Sequence, residues 1–502
     1  MPEQQLFDLY TAMPTLWPAA YGLLLLVFVP LFKDDRQWLW AFSLAGMALM
    51  TVITSIMLLQ IGDYGDVRLT AGGFGMEMVR TDRLALWLDL LFAICGFLAL
   101  LVLPSYLARA RAYRGEIFPL TFIAVAGMTI MVGTDNLLMI FLGLEVLSIA
   151  LYVMTGIARE RAVAVEAALK YFLLGAFSTG FLVYGIALIF GATGSLNLTD
   201  IAVAVSGLDA DGPAELTMLL GGLSMVLVAF AFKIGAVPFH FWVPDVYQGA
   251  PTPVTAFMAA GTKAAAFGVL LRMMHGGFGD SPEVLGRWTL ALSLLAAVTM
   301  IVGNLMALVQ DRVKRLLAYS SVAHAGYLML GLIAPLDVGV ANTVFYLIVY
   351  AFMTIGAFTV ASVFLTGGED ADHISNFAGL WQRRPFLAAA MGVFLLSLIG
   401  IPPMGGFTGK YVIFLAAIDS GHPFLATVMA IAAVIGAAYY LRVLVAMFFK
   451  QPESEPAVDL HVSGGTRLAL AISVAATLLL GVLPGYLLEP LSLIYSGLMR
   501  FP

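Results

Sequence analysis

What most constrains this chain is the length of its apolar runs. One stretch after another of about 20 residues carries almost no charge, and a helix needs a run of that length to cross the hydrocarbon of a bilayer. Cut at clusters of charge, proline or glycine, the 502 residues give candidate spans near 14–32, 38–61, 83–106, 117–134, 136–157, 163–191, 215–242, 252–274, 286–309, 315–334, 338–366, 386–417, 422–449 and 466–489. Composition agrees: 61% of residues are hydrophobic and only 11% charged, against roughly a quarter charged in a soluble domain. A soluble globule is excluded, and an all-α polytopic membrane protein of about fourteen transmembrane helices is expected. All seven tryptophans (Trp17, Trp38, Trp40, Trp87, Trp242, Trp288 and Trp381) fall near the ends of these spans, where an amphipathic ring prefers the interface.

Orientation follows from the basic residues of alternate loops. The side of the first loop collects fourteen, among them Lys33, Arg36, Arg109, Arg159, Arg312, Lys314, Arg315, Arg383, Arg384 and Arg467. The opposite side has six: Arg68, Arg80, Arg83, Arg272, Arg287 and Arg500. The positive-inside rule then places both termini outside, on the periplasmic face of a cell inner membrane. The first residues hold Glu3 and Asp8 but no basic cluster, so the first span reads as retained rather than as a cleaved signal. The single cysteine, Cys95, excludes a disulfide framework, a four-thiolate iron–sulfur site and a CxxC pair within the chain. The net charge of −6 argues against nucleic acid as a partner.

The remaining basic residues lie inside spans: Lys170, Lys233, Lys263, Lys410 and Arg442, so four of the seven lysines are intramembrane. Glu145 joins them in the run LLMIFLGLEVLSIALYV. Each charge at mid-membrane costs about 2.5–3.5 kcal/mol on insertion scales. Something must compensate that cost. The plain structural reading is snorkelling or ion pairing, which suits Arg442, Arg272 and Lys170, the last with Glu166 one helical turn earlier. Lys263 and Glu145 sit too deep in their spans for that, and with Lys233 and Lys410 they are read as functional. Burial and a nearby carboxylate pull a lysine's proton affinity in opposite directions, so pairing Glu145 with Lys233 would hold a proton and separating them would release it. His240, in VPFHFWVPD, and His324, in AYSSVAHAGY, are possible relays because imidazole titrates near neutrality. Tyrosines and serines could serve too, but nothing in the sequence selects which. Asp89 is a further buried acid without a proposed partner.

Two spans carry internal breakers. Span seven holds Pro238, and span twelve holds Pro402 and Pro403 followed by Gly405, Gly406 and Gly409. Proline removes a helix hydrogen bond, and freed backbone at membrane depth is tolerated only against protein or water. Paired interrupted helices in the two halves of a transporter point to the transported species. Spans six and eleven also align weakly, Tyr171 with Tyr346 and Thr179 with Thr354 among the matches. Other chemistries fall away. GIPPMGGFTGK has Met404 where a phosphate loop needs glycine and Tyr411 where it needs serine or threonine. The six histidines show no metal-ligand spacing, so no metal site is expected.

At these residues the chain resembles a known family. The run FKIGAVPFHFWVPDVYQGAPTPVTAFMAAGTKAAAF from Phe232 to Phe267, with DRVKRLLAYSSVAHAGY (311–327) and LIGIPPMGGFTGK (398–410), is similar to the antiporter-like membrane subunits of respiratory complex I and of multisubunit Na+/H+ antiporters. The resemblance covers nearly the whole chain. It implies two inverted five-helix repeats, at 117–275 and 276–450, preceded by three helices within 1–116 and followed by one within 451–502. It also implies proton translocation driven by NADH–quinone electron transfer. Glu145 takes the place of the carboxylate paired with Lys233, Lys263 that of the central lysine and Lys410 that of the terminal one. NADH, FMN, iron–sulfur clusters and quinone would then belong to partner subunits, with no cofactor on this chain, and the neighbours would be other antiporter-like and small membrane subunits. The alternative is a subunit of a multisubunit Na+/H+ antiporter.

Overall fold

The computed structural model describes residues 9–31, 36–64, 78–208, 213–279, 281–366, 369–451, 460 and 462–495. Readings that rest on Glu3, Asp8, Lys33, Arg68, His461 and Arg500, and on the side chain of Arg36, lie outside these residues. The chain is a succession of helices: α1 (Met13–Leu31), α2 (Arg36–Tyr64), α3 (Arg83–Arg109), α4 (Ile117–Val132), α5 (Leu137–Thr155), α6 (Ala162–Thr193), α7 (Leu198–Leu208), α8 (Pro213–Ile234), α9 (Trp242–Gly249) and α10 (Thr252–Gly276). They continue as α11 (Pro282–Leu308), α12 (Val313–Ile333), α13 (Leu336–Ala361), α14 (Leu380–Arg383), α15 (Pro385–Ile399), α16 (Gly405–Asp419), α17 (Pro423–Phe449), α18 (Gly464–Val482) and α19 (Gly485–Ser492). A two-residue hairpin, Leu365–Thr366 with Glu369–Asp370, is the only strand pairing among the described residues besides two isolated bridges.

Twelve of these helices are long and apolar enough to cross a membrane, two fewer than the expected fourteen. The difference lies in two places. The expected fourth span is α4, only 16 residues long, because Thr134, Asp135 and Asn136 turn the chain and the Asn136 side chain caps α5 by accepting from Leu138 and Met139 N–H. The expected twelfth span is divided into α15 and α16, each of 15 residues. The seventh is divided as well, since α8 stops at Ile234 and α9 starts at Trp242. Both breaks fall at the prolines singled out above, and each begins on a glycine of positive φ, Gly235 at 75° and Gly400 at 95°. A third irregularity has no proline signal: α10 makes a π-helical turn over Met258–Thr262, directly before Lys263.

The core is built from α10, α12 and α13, whose most apolar windows are 100%, 94% and 100% buried by the surrounding helices. Close crossings hold the shell to them. At the α4–α5 crossing a Cβ on Gly127 would stand 2.4 Å from the Leu147 N, and one on Gly143 would stand 2.8 Å from the Met131 N. Only glycine lets these backbones meet. Two isolated bridges also repeat each other. Asn136, at the start of α5, pairs with Asn197, and Arg312, at the start of α12, pairs with His373. The flanking bonds match position for position: Leu137 N–H donates to Leu196 O and Leu198 N–H to Asp135 O, while Val313 N–H donates to Asp372 O and Ile374 N–H to Asp311 O.

Candidate functional site

The two helix breaks free backbone groups, and side chains take them up. At the first, the Trp242 indole donates to Phe232 O at 3.0 Å and Thr299 Oγ1 of α11 accepts from Val237 N–H at 3.0 Å. At the second, Ser397 Oγ accepts from Gly406 N–H at 2.9 Å, and the Lys410 ammonium donates to Leu398 O at 2.7 Å and Ile399 O at 3.0 Å. Lys410 thus caps the carbonyl end of α15, where a positive charge is favoured.

The predicted lysines are buried within the helix packing. Lys233 is 5% exposed, Lys263 2% and Lys410 9%. Lys233, the penultimate residue of α8, donates to Ser148 Oγ at 2.7 Å and lies 5.6 Å above the Tyr171 ring. Glu145, three residues before Ser148 on the same face of α5, accepts from Thr179 Oγ1 of α6 at 2.7 Å. The expected direct Glu145–Lys233 pair is therefore absent in this state: Ser148 holds the ammonium and Thr179 the carboxylate. Lys263 follows the π turn and donates to both the carbonyl oxygen and Oγ of Ser321 on α12, the latter at 2.8 Å, with its ammonium 5.1 Å from the Tyr350 ring centre. His324 is one turn further along α12. Its Nδ1 shares a 2.7 Å hydrogen bond with the Tyr346 hydroxyl, and Nε2 lies 3.4 Å from the Tyr440 hydroxyl. Tyr327, another turn on, stands under Lys410, whose ammonium is 5.0 Å from the ring centre, and accepts from Asn304 Nδ2, whose Oδ1 accepts from Tyr439. The result is a buried row running Glu145, Ser148, Lys233, then Lys263, Ser321, His324, then Tyr327 and Lys410.

Between Lys233 and Lys263 the walls are hydroxyl-bearing rather than dry. Tyr247 lies beside Tyr171, Tyr350 and Ser321. The Tyr171 and Tyr350 hydroxyls and Thr354 Oγ1 are buried without a hydrogen-bond partner. Tyr350 faces Ser321 and Thr354, so hydroxyls cluster beside the two ammonium groups.

Two of the possible relays are not part of this row. Lys170 is 42% exposed at its side chain and pairs with Glu166 at 2.7 Å, as its helical spacing suggested, and with Asp245 at 2.9 Å, which also holds Arg315 at 2.8 Å. His240 sits half-buried in the first break, its ring centre 6.4 Å from that of Tyr319, and makes no hydrogen bond to the four charged residues among the described residues. Arg442 does reach toward a helix end, donating to Gln310 O with Asp311 at 3.5 Å.

Arg272 overturns the snorkelling expectation. It is fully buried and donates twice to Asp82, at 2.8 and 2.9 Å, and to Asp135 at 3.3 Å. Arg80 closes the cluster with Asp82 at 2.8 Å and Asp135 at 2.6 Å. Asp82, the N-cap of α3, is pushed up by burial but held down more strongly by Arg272 and Arg80, at a pKa of about 2. Asp89 is buried too, and its Oδ1 has no partner. Among the described residues no group of three or more His, Cys, Asp or Glu could hold a metal ion.

Comparison with known proteins decides the family. Residues 134–436, the segment that holds the whole row, match the family described as NADH:quinone oxidoreductase/Mrp antiporter, TM. The chain belongs to that family. It is 43% identical over 462 residues, 92% of this chain and 91% of the relative, to the NADH-quinone oxidoreductase subunit N of Chloroflexus aggregans. Among solved structures it is similar to a chain of respiratory complex I from Thermus thermophilus, solved with bound aureothin, at 35% identity and a TM-score of 0.79, covering 95% of this chain and 99% of that one. A chain of the Mrp complex from Dietzia shares the fold at a TM-score of 0.83 with 21% identity, covering 98% and 97%.

Proposed function

We propose that the chain is a proton-translocating membrane subunit of an NADH-quinone oxidoreductase, with Glu145, Lys233, Lys263 and Lys410 as the groups that take up and pass protons. The buried row carries this reading. Four ionisable side chains, each bonded to a hydroxyl or a carbonyl rather than to a counter-ion, can exchange protons without breaking a structural ion pair. Glu145 and Lys233 hang on two hydroxyls of neighbouring helices, so a small shift of α5 against α8 brings them together or parts them, and the lysine's proton affinity changes with that distance. A relative named NADH-quinone oxidoreductase subunit N, at 43% identity, and a chain of respiratory complex I, at 35%, favour this reading over an antiporter subunit, the likeness to a chain of the Mrp complex being at 21%.

NADH, FMN, iron–sulfur clusters and quinone then belong to other subunits of the complex. The molecular surface favours such neighbours. Glu145 is only partly covered, with Leu142 and Ile149 exposed beside it, and a carboxylate bordering lipid at mid-membrane is costly. Pro402 and Pro403 of the second break are exposed as well, and freed backbone there calls for cover by protein. The paired bridges at Asn136–Asn197 and Arg312–His373 support the two five-helix repeats, 117–275 and 276–450, with helices added before and after them. The loop charges support both termini facing the periplasm.

The test is proton pumping coupled to NADH oxidation in membrane vesicles. Glu145→Ala or Lys233→Ala is expected to reduce it while the complex still assembles. Unchanged pumping by an assembled complex refutes these roles, and co-purification with small antiporter subunits in place of flavin and iron–sulfur subunits favours the alternative.

A further inference from the structure

On the face where the sequence gathers its basic residues, α15 and α18 begin side by side, at Pro385 and Gly464. A cleft of about 620 Å³ opens between their first turns. Arg384 and Arg467 stand at its rim, and Phe386, Leu387, Val462 and Ala471 form its apolar wall. Both arginines are exposed, and neither guanidinium meets a carboxylate or any other hydrogen-bond partner among the described residues. Arg383 adds a third positive charge. Its pKa is lowered, by burial first and by the Arg384 charge second, so the two neighbours repel each other. Trp381, 46% exposed and packed on Phe448 with ring centres 5.4 Å apart, sits next to them, and an exposed tryptophan at a helix end marks headgroup depth.

Three guanidinium groups without a counter-charge among the described residues call for an anion, and the wall below them narrows the choice. A free phosphate would satisfy the charge and leave the apolar wall bare. A phospholipid satisfies both, because a phosphodiester accepts paired N–H bonds from arginine while an acyl chain covers the hydrocarbon surface beneath it. We propose that this cleft binds one anionic phospholipid, its phosphate between Arg384 and Arg467 and an acyl chain along Phe386, Leu387 and Val462. The site lies apart from the buried row, so it adds to the proposed function without resting on it.

The test uses the complex with the full chain, reconstituted into phosphatidylcholine vesicles doped with photoactivatable phosphatidylglycerol, and maps the labelled peptides. Label is expected on the segments holding Phe386 and Leu387 and holding Val462 to Ala471. The double variant Arg384→Gln with Arg467→Gln should reduce it at least about tenfold, since it removes the charge-assisted bonds, while Arg384→Lys with Arg467→Lys keeps most of it. Excess inorganic phosphate should leave it unchanged. Equal labelling by a photoactivatable phosphatidylcholine, absence of label in the wild-type complex, or undiminished label in the glutamine variant overturns the proposal. Displacement by inorganic phosphate reassigns the arginines to a free anion, and protein cross-links at the same peptides in place of lipid reassign the cleft to a partner subunit. Either outcome also overturns it.

Discussion

Removing one member of the Arg80, Asp82, Asp135 and Arg272 cluster leaves the others charged and buried without compensation. Arg272→Ala is therefore expected to destabilise the chain by about 3–5 kcal/mol, read as a lower thermal midpoint and a smaller yield of assembled complex. The cluster should also depend on acid. Asp82 titrates near 2 in the folded chain against an ordinary 3.8, so its contribution is complete above the ordinary value and disappears as the pH falls from about 4 to 2. The gap in thermal midpoint between wild type and Asp82→Asn should stay constant at neutral pH and close over that acid range. Within the row, Ser148→Ala removes the only side-chain hydrogen bond that Lys233 makes among the described residues. A bond to a charged group is worth about 1.5–3 kcal/mol, so coupled proton transfer should slow about tenfold or more, and Ser148→Thr should restore it. The charged members of the row were legible in the sequence because a lysine or glutamate inside an apolar run is rare and costly. The hydroxyls were not. Thr54, Thr121 and Thr262 bond carbonyls of the preceding turn, as Ser148 and Thr179 also do, so neither residue type nor the local helix bond separates the hydroxyls of the row from the rest. Arg272 was misread because it stands near a helix end, while its partner Asp82 lies in a distant part of the chain.

The helices themselves were largely visible as apolar runs, and the breaks as prolines followed by glycines. Where a helix would stop was less visible. Span seven was carried on to 242, but Gly235 ends α8 at Ile234, and Lys233 consequently sits at a helix end rather than in the middle of one. The π turn before Lys263 has no sequence mark, since MAAGT is ordinary helical sequence. Two glycines set the place of α5, and with it Glu145 and Ser148. Gly127→Val should force α4 and α5 apart, because the added carbons would meet the Leu147 backbone rather than a flexible side chain. Its expected mark is a fall in assembled complex, with Gly127→Ala less severe, measured by native gel and thermal unfolding. At the second break, Lys410→Met would strip the cap from Leu398 O and Ile399 O.

At the scale of the whole molecule the architecture answers a single electrostatic difficulty. The three lysines of the row are carried toward or onto the most buried helices, α10, α12 and α13, while Glu145 stays partly covered on α5, and each charge is given a hydroxyl, a carbonyl or an aromatic face in place of water. The sequence could count those charges but could not show that Ser321, His324 and Tyr327, spaced along one face of α12, stand between Lys263 and Lys410. That connection appears only when α10, α13, α16 and α17 close around α12. Lys263 stands at the centre of the row, so the most direct measurement is the number of protons pumped per NADH oxidised by vesicles holding the assembled Lys263→Met complex. A lower ratio, with NADH oxidation still supported when the gradient is collapsed, is the predicted result. A wild-type ratio would contradict the account, because protons would then be crossing without the row.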